Sequence, residues 1–305
     1  MAKVTEVEVQ RRALRARHRR GAELITQPDP APSYCEPQFD QLPGGHPAEV
    51  TADRLTPGLV RAAILRDGSL LVRRLLEPGE AEALAGQVER AFEARDAQRV
   101  GASADDGLYE EFEPDPGFSP LSKRLFVESV GVWTADSPAL AARLSDDLTE
   151  AGMSELTASY LGEEPVLAVD KCTLRRCKPG PPGPWHQDGA FMGDVRTLDL
   201  WIALTPCGED APGLDVVARR IDHILTTGTE GAKFAWSVSP DVAEDAADEG
   251  TIVRPRFEPG DAMLFDDLCV HRPGSNPTMR NIRYAVETWF FGPAGFPDGY
   301  TPLAV

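Results

Sequence analysis

The stretch Trp185-His186-Gln187-Asp188-Gly189 decides the fold, because it sets a histidine and an aspartate two residues apart in a β-rich region. On a strand, alternate side chains share one face, so His186 and Asp188 can reach the same ion while Gln187 points away. A third ligand must come from another strand, and His271 ends an apolar run later in the chain. The sequence therefore predicts a metal site built from His186, Asp188 and His271.

The predicted ligand set favours an iron site over a structural metal site in which protein ligands fill every coordination position. Two imidazoles and one carboxylate on one face of an octahedron leave three positions open, the arrangement of non-haem iron(II) oxygenases. The histidine-x-aspartate pattern alone is weak, since five histidines in an aspartate-rich chain give about an even chance of an accidental match. Its context strengthens it: turn-forming residues 179–184 precede the motif, a strand with Trp201 follows, and Pro259-Gly260-Asp261 introduces the run that ends at His271.

Composition limits the partners. The 305 residues carry a net charge of -18, which disfavours a nucleic-acid partner because phosphate binding needs a basic surface. No apolar run approaches the roughly 20 residues that span a bilayer, so no membrane association is expected. Five cysteines form an odd set in a chain with no apolar secretory segment, which favours reduced thiols. We expect a soluble, cytoplasmic protein that binds a small molecule.

The N-terminal region differs from the rest in charge and in proline content. We expect residues 1–20 to form a solvated or disordered tail rather than a membrane-binding helix, because their apolar face is thin. Six prolines within residues 27–47 indicate an extended connector. The predicted organisation is a basic segment with its connector at residues 1–50, then one domain at residues 51–305, ordered from near Leu55. The basic side chains of the tail are Lys3, Arg11, Arg12, Arg15, Arg17, Arg19 and Arg20.

The pattern of apolar residues predicts helices first and strands later. A hairpin is predicted around Asp67-Gly68, followed by a helix over residues 79–95 and a second helix after Ser137-Pro138. The acidic residues 241–249 are expected to form a surface excursion. These elements predict an α+β fold, mainly β with helical additions, whose core at about residues 163–291 is a barrel or sandwich backed by N-terminal helices. The predicted strands cover residues 166–174, 198–203, 213–217, 262–271 and 282–291.

An arginine near the last strand is a candidate for binding an organic acid. Arg283 opens the run Ile282-Arg283-Tyr284-Ala285-Val286, where strand alternation aims its guanidinium at the same interior as Ala285. A guanidinium can bind a carboxylate in bidentate fashion. Arg280 is the rival, but it follows Pro277 and is expected in a connecting loop, so Arg283 is preferred.

Five segments together resemble the phytanoyl-CoA dioxygenase family of iron(II)- and 2-oxoglutarate-dependent oxygenases. The resemblance covers about residues 163–291, with a weaker echo at residues 67–76. It is interrupted at Pro273, where the family often has serine, and at residues 218–221, where Ala-Arg-Arg-Ile replaces the usual Pro-Gly-Ser-His. The five segments are WHQDG at 185–189, LWIAL at 200–204, PGDAMLF at 259–265, HRPGSN at 271–276 and IRYAV at 282–286.

The resemblance implies a double-stranded β-helix of the jelly-roll or cupin-like kind and a set of cofactors. His186, Asp188 and His271 match the family's catalytic iron ligands, and Arg283 matches its clamp for the 2-oxoglutarate carboxylate. The implied requirements are Fe(II), 2-oxoglutarate and O2, with ascorbate as a reductant in vitro. Related halogenases lack the carboxylate ligand, so Asp188 favours hydroxylation, desaturation or rearrangement of a small molecule, natural products included.

Three further residues are candidates for the cofactor pocket. Trp201 matches a family tryptophan and either lines the pocket or packs in the core. Lys171 and Thr173 lie on the strand before the motif and are candidates for orienting cosubstrate or substrate. Two other functions stay open at this point: a cupin-like metal enzyme that uses no 2-oxoglutarate, and a catalytically inactive barrel that binds a small molecule. The substrate and the oligomeric state are not encoded in any readable motif.

Overall fold

A nine-stranded mixed sheet and a three-stranded antiparallel sheet form the β structure of the described residues, which are 5–28, 31–102, 106–118, 130–248 and 252–305 of this computed structural model. Lys3 of the predicted tail, Pro30 of the connector and Glu249 of the acidic stretch lie outside these residues. The strands are β1 (Ala48–Thr51), β2 (Ser69–Arg73), β3 (Gly131–Trp133), β4 (Val166–Ala168), β5 (Thr173–Cys177), β6 (Thr197–Ala203), β7 (Gly213–Val217), β8 (Ile252–Val253), β9 (Ala262–Phe265), β10 (His271–Gly274), β11 (Arg283–Phe291) and β12 (Pro302–Ala304).

Strand β11 lies inside the large sheet and pairs with β6, β4 and β5. The order is β1-β2-β9-β6-β11-β4-β12, and β5 pairs with both β11 and β3. Only β1 and β2 run parallel among these described pairs. The small sheet has the order β10-β7-β8 and carries His271 on its first strand. The chain is therefore a mixed α/β structure with one dominant sheet.

The two faces of the large sheet contact different partners. On one face, Leu200 and Val286 join the apolar cluster formed with the helices. On the other, Trp201 and Ala285 join a second cluster that includes Leu214 of the small sheet. The alternation of each strand thus separates a helix-covered face from an interior shared by the two sheets.

The helices that the structure describes lie mainly before the strands that carry the predicted ligands. The long helix after Pro78 confirms the predicted one, and the apolar stripe after Ser137-Pro138 forms two helices that Gly152 separates. Among the described residues, no helix is both long and apolar enough to cross a bilayer. All five cysteines are free thiols. The helices are α1 (Glu6–Thr26), α2 (Pro57–Asp67), α3 (Pro78–Arg99), α4 (Pro138–Glu150), α5 (Met153–Leu161), α6 (Gly189–Met192) and α7 (Pro240–Ala247).

The hairpin predicted around Asp67-Gly68 was wrong. Residues 57–67 form helix α2, which begins at Thr56, whose side chain accepts the N–H of Leu59. It ends at Gly68, whose φ of 76° lies in the left-handed region that glycine adopts without strain. The Asp-Gly pair therefore closes a helix, and only β2 follows it as a strand.

The prediction of a disordered N-terminal tail was also wrong. Helix α1 packs on β12, with Leu14 and His18 buried. His18 links three segments, since its Nδ1 lies 2.8 Å from the Pro302 carbonyl oxygen and its Nε2 accepts the N–H of Asp115 at 3.1 Å. Ordered structure therefore begins well before Leu55. The basic face of the helix is exposed while its narrow apolar face is sufficient to contact the sheet edge.

Two predicted strands are each divided. The run over residues 166–174 contains a 3-10 turn at Val169–Lys171, so β5 starts at Thr173 and continues to Cys177. The run over residues 262–271 is divided by a turn in which Asp266 accepts the N–H of Leu268, and β9 and β10 enter different sheets. The described part of the acidic stretch lies between β7 and β8 as the expected surface excursion, and it forms helix α7, with two alanines buried.

Candidate metal centre

His186 and His271 face each other across an isolated antiparallel bridge. Each backbone N–H donates to the carbonyl of the other residue at 3.0 Å. The centroids of the two imidazoles are 4.3 Å apart. Their Nδ1 atoms lie 3.1 Å from backbone carbonyls, those of Pro184 and Cys269 respectively, so each Nδ1–H donates to a carbonyl and leaves Nε2 free.

Asp188 completes the cluster from a turn and not from a strand. Its backbone is in the right-handed helical region, immediately before α6, so the predicted strand alternation does not hold beyond His186. Its Oδ2 lies 3.6 Å from Nε2 of His271 and 4.0 Å from Nε2 of His186. One ligand atom from each of the three residues lies within 4.8 Å of the others. The structure therefore brings the three predicted metal ligands together.

Gln187 fixes this turn from the opposite side. Its amide nitrogen donates to the carbonyls of His223 and Leu268 at 3.0 and 2.8 Å, and its oxygen accepts the N–H of Leu225 at 2.7 Å. The side chain is buried, and its three bonds reach two segments, the one after β7 and the turn before β10. The residue between the two ligands thus anchors the segment that follows β7.

Lys171 holds the remaining carboxylate oxygen of Asp188. Its Nζ donates to Oδ1 at 2.5 Å. Burial alone would raise the pKa of Asp188, but the ammonium of Lys171 and the two imidazoles hold it below its usual range. The carboxylate is therefore ionised at neutral pH. The 3-10 turn that divides the predicted strand positions Lys171.

The donor set fits a metal ion. Oδ2 of Asp188 is buried and has no hydrogen-bond partner among the described residues. Burial, followed by the proximity of His271, lowers the pKa of His186 to about 4, so its imidazole is neutral at pH 7. Metal ligands must be deprotonated, and an unpaired buried carboxylate oxygen is costly without a cation. Two imidazole nitrogens and one anionic oxygen match the chemistry of iron(II).

Arg283 lies on the interior face of β11, as alternation predicted. It is buried, its Nη1 donates weakly to the Gly213 carbonyl at 3.4 Å, and its Nε has no partner in the described part of the chain. Its guanidinium carbon lies 5.2 Å from the centroid of the Trp201 ring, and Trp201 is itself buried. Arg280, by contrast, is exposed and pairs with Asp210 at 3.1 Å. Arg283 is the residue with unused donors in the interior.

Thr173 belongs to a buried polar group that sequence reasoning missed. Its hydroxyl donates to Oε2 of Glu287 at 3.1 Å, and Arg175 donates to the same oxygen. Asp199 is fully buried beside this group, and both its oxygens lack partners in the described residues. Burial and then the proximity of Glu287 raise the pKa of Asp199 well above its usual value. Glu287 lies on the same strand face as Arg283, and Asp199 on the same strand face as Trp201. Strand alternation could therefore have predicted that both acidic residues point into the interior.

The two remaining histidines, His46 and His223, do not belong to the cluster. His46 contacts Asp67 at 2.6 Å, and His223 contacts Asp222 on an exposed loop.

The sequence profile of a known family matches most of the chain. The profile described as phytanoyl-CoA dioxygenase (PhyH) matches residues 64–285 of the 305. The chain belongs to the phytanoyl-CoA dioxygenase family. The matched range contains the whole metal cluster and Arg283, and it starts within α2, upstream of the region where the five motifs were found. No curated protein matches the chain.

Solved structures that resemble this chain include an enzyme of nogalamycin biosynthesis. One is the non-heme alpha ketoglutarate dependent carbocyclase SnoK from nogalamycin biosynthesis, at 19% identity, covering 81% of this chain and 87% of that one, with a TM-score of 0.52. EctD from S. alaskensis shows 20% identity over 87% and 83% of the two chains, with a TM-score of 0.49. AviO1 from Streptomyces viridochromogenes Tue57 shows 18% identity over 77% and 94%, with a TM-score of 0.46. At these identities the likeness to SnoK shows the fold alone.

Proposed function

We propose that this family member is an iron(II)- and 2-oxoglutarate-dependent dioxygenase that hydroxylates, desaturates or rearranges a small molecule, natural products included. The observation that carries the proposal is the buried, unpartnered Oδ2 of Asp188, which faces the free Nε2 atoms of two histidines. His186, Asp188 and His271 would hold the iron. Membership of the family and the fold shared with SnoK support this assignment.

Arg283 is proposed to bind the distal carboxylate of 2-oxoglutarate. Its Nε is buried without a partner, and a buried guanidinium with unused donors is expected to pair with an anion. Trp201 packs against Phe257 and lies beside the guanidinium, which limits the positions that Arg283 can take. The exposed Arg280 already has a carboxylate partner and is not needed for this role.

The fold proposed for the core is a double-stranded β-helix. The interior between the two sheets contains Arg283 from the large sheet and His271 from the small one. A side chain from each of two facing sheets would be expected at the site of a jelly-roll of this family, and this supports the proposal. The single domain over residues 51–305 is proposed on the same basis, although α1 also packs on the sheet edge at β12.

The residues around the ligands have separable tasks. When bound, iron and 2-oxoglutarate supply the oxidant for a substrate C–H bond, with O2 consumed and succinate and carbon dioxide released. Lys171 keeps one oxygen of Asp188 occupied, so the other oxygen stays directed at the imidazoles. The backbone carbonyls of Pro184 and Cys269 fix the tautomers of the two histidines. The apolar side chains of Phe265 and Trp289 exclude water from the interior.

The first experiment measures cofactor binding without oxygen. Addition of Fe(II) and then 2-oxoglutarate under anaerobic conditions should produce a weak visible charge-transfer band, and admission of air with ascorbate should yield succinate. Neither signal should appear with His271→Ala, whereas His223→Ala, a change at an exposed histidine, should give both. A band with iron that does not respond to 2-oxoglutarate would favour the cupin-like enzyme. No metal binding would favour the inactive barrel.

A further inference from the structure

Three large aromatic side chains are exposed next to the metal centre: Phe191, Phe234 and Trp236, called here the aromatic platform. Their exposed fractions are 41%, 46% and 40%. The rings of Phe234 and Trp236 are stacked with centroids 5.1 Å apart, and Phe191 meets Trp236 edge to face at 5.4 Å. Single exposed aromatics are common on protein surfaces, but a contiguous group of three marks a binding surface.

The aromatic platform is continuous with the proposed iron ligands. The ring of Trp236 meets the imidazole of His186 edge to face, with centroids 6.0 Å apart. On the other side, Nζ of Lys171, which binds Asp188, lies 5.6 Å from the centroid of Phe191. A molecule that covers these rings therefore lies against residues that hold the metal.

The backbone holds the platform in its exposed position. Ser237 closes a tight turn on Phe234: its hydroxyl accepts the N–H of Phe234 at 2.9 Å, and its own N–H donates to the Phe234 carbonyl at 3.0 Å. Val238 then bridges to Trp185, directly before His186. Upstream of this turn, Gly228 approaches Ala235 so closely that a Cβ on residue 228 would lie 2.8 Å from the carbonyl oxygen of Ala235. The exposed rings are thus fixed by hydrogen bonds to buried residues.

We propose that the aromatic platform binds a planar, apolar ring system in the substrate and positions it over the metal centre. The inference rests on the proposed function, because it assigns the substrate class of that same site. Flat rings stack on aromatic faces and bury a large area with little loss of conformational freedom. Preformed sites of this kind select by shape, so a saturated ring of equal size should fit less well.

The test uses 2-naphthol as the planar probe and decahydro-2-naphthol as its saturated counterpart. Saturation-transfer NMR measures whether each probe binds the metal-free protein. Mn(II), which broadens nearby resonances, then reports whether bound 2-naphthol lies beside the metal centre. We expect 2-naphthol to bind at least tenfold more tightly than its saturated counterpart and to broaden in the presence of Mn(II).

Variants separate the platform from the metal site. Phe234→Ala and Trp236→Ala should each weaken 2-naphthol binding by roughly tenfold or more. Phe39→Ala removes an exposed phenylalanine before α2 and should leave probe binding unchanged. A titration with Mn(II) is run on every variant, so that loss of probe binding can be told from loss of the metal.

Five results would overturn the inference in whole or in part. Equal binding of both probes would show no preference for planarity, and undiminished binding in Phe234→Ala and Trp236→Ala would place the probe elsewhere. A wild-type dimer in sedimentation that Trp236→Ala dissociates would make the platform an interface between copies. Failure of the wild type to bind Mn(II) would overturn the proposed function, and with it the assignment of the platform to a substrate. Probe binding without Mn(II) broadening would refute only the position of the ring.

Discussion

The ammonium of Lys171 lies 2.5 Å from one carboxylate oxygen of Asp188, and the other oxygen of that carboxylate faces the two imidazoles. A single aspartate therefore has one oxygen committed to a cation of the protein and one available to a metal. Hydrogen bonds from neighbouring residues commonly orient metal ligands in this way. The pair also explains why a buried carboxylate remains ionised before any metal is bound.

Lys171→Met should weaken metal binding. The change removes the donor that orients Asp188 while keeping a side chain of similar length, and loss of such a partner typically costs roughly 10- to 100-fold in metal affinity. Anaerobic titration calorimetry with Co(II) measures the effect. Lys178→Met, at an exposed lysine, is the matched control and should bind as the wild type does. Tighter binding in Lys171→Met would mean that repulsion between the ammonium and the metal outweighs orientation.

Arg283→Ala should raise the 2-oxoglutarate concentration needed for half-maximal succinate formation by about 100-fold. Removing one partner of a buried, hydrogen-bonded charge pair costs about 2–5 kcal/mol, and about 2.7 kcal/mol corresponds to that factor. Arg280→Ala breaks only an exposed ion pair with Asp210 and should change the requirement little. The reverse ranking of the two variants would assign the carboxylate to Arg280.

Most of the metal cluster could be predicted from sequence because its signals are local. His186 and Asp188 are two residues apart, and His271 ends an apolar run that Pro259-Gly260-Asp261 introduces. Arg283 was placed correctly on the interior face because strand period alone decides which face a side chain occupies. The reasoning that joined His186 to Asp188 was nevertheless wrong in detail, since a turn and not strand alternation brings them together.

The sequence pattern could not predict features that depend on contacts between residues far apart in the chain. Asp67-Gly68 suits a hairpin turn and a helix end equally, and only the packing of α2 decides between them. The apolar face of helix α1 is thin, so the helix is stable only where that face packs on β12. The charged interior group around Glu287 and the exposed ring of Trp236 arise from pairing between segments far apart in sequence, which no local period reveals.

Asp199→Asn should change the pH dependence of stability. The pKa of Asp199 is raised in the folded protein by burial and then by Glu287. Asp199 therefore loses its proton at a lower pH in the unfolded chain than in the folded protein. The wild type loses stability as the pH rises from about 4, the ordinary pKa of an aspartate, towards the raised pKa of Asp199 in the folded protein. Asparagine has nearly the same shape and does not titrate.

The measurement for Asp199 is urea unfolding of metal-free protein at several pH values. We expect Asp199→Asn to gain stability over the wild type as the pH increases from 4 to 7. Asp298→Asn, at an exposed position, controls for the general loss of a negative charge. A difference between wild type and Asp199→Asn that stays constant with pH would mean that Asp199 titrates alike in both states.

Gly21→Ala should destabilise the protein although alanine favours helices. Gly21 lies inside α1, where a Cβ would be 2.9 Å from the backbone nitrogens of Ala304 and Leu303. Crowding of this kind typically costs about 1–3 kcal/mol, which exceeds the roughly 1 kcal/mol that alanine contributes over glycine in a helix. Gly86 in α3 is the matched control, because a Cβ there meets nothing within 4 Å. Gly86→Ala should therefore raise the free energy of unfolding by up to about 1 kcal/mol, and a similar gain in Gly21→Ala would show that α1 does not pack on β12 in solution.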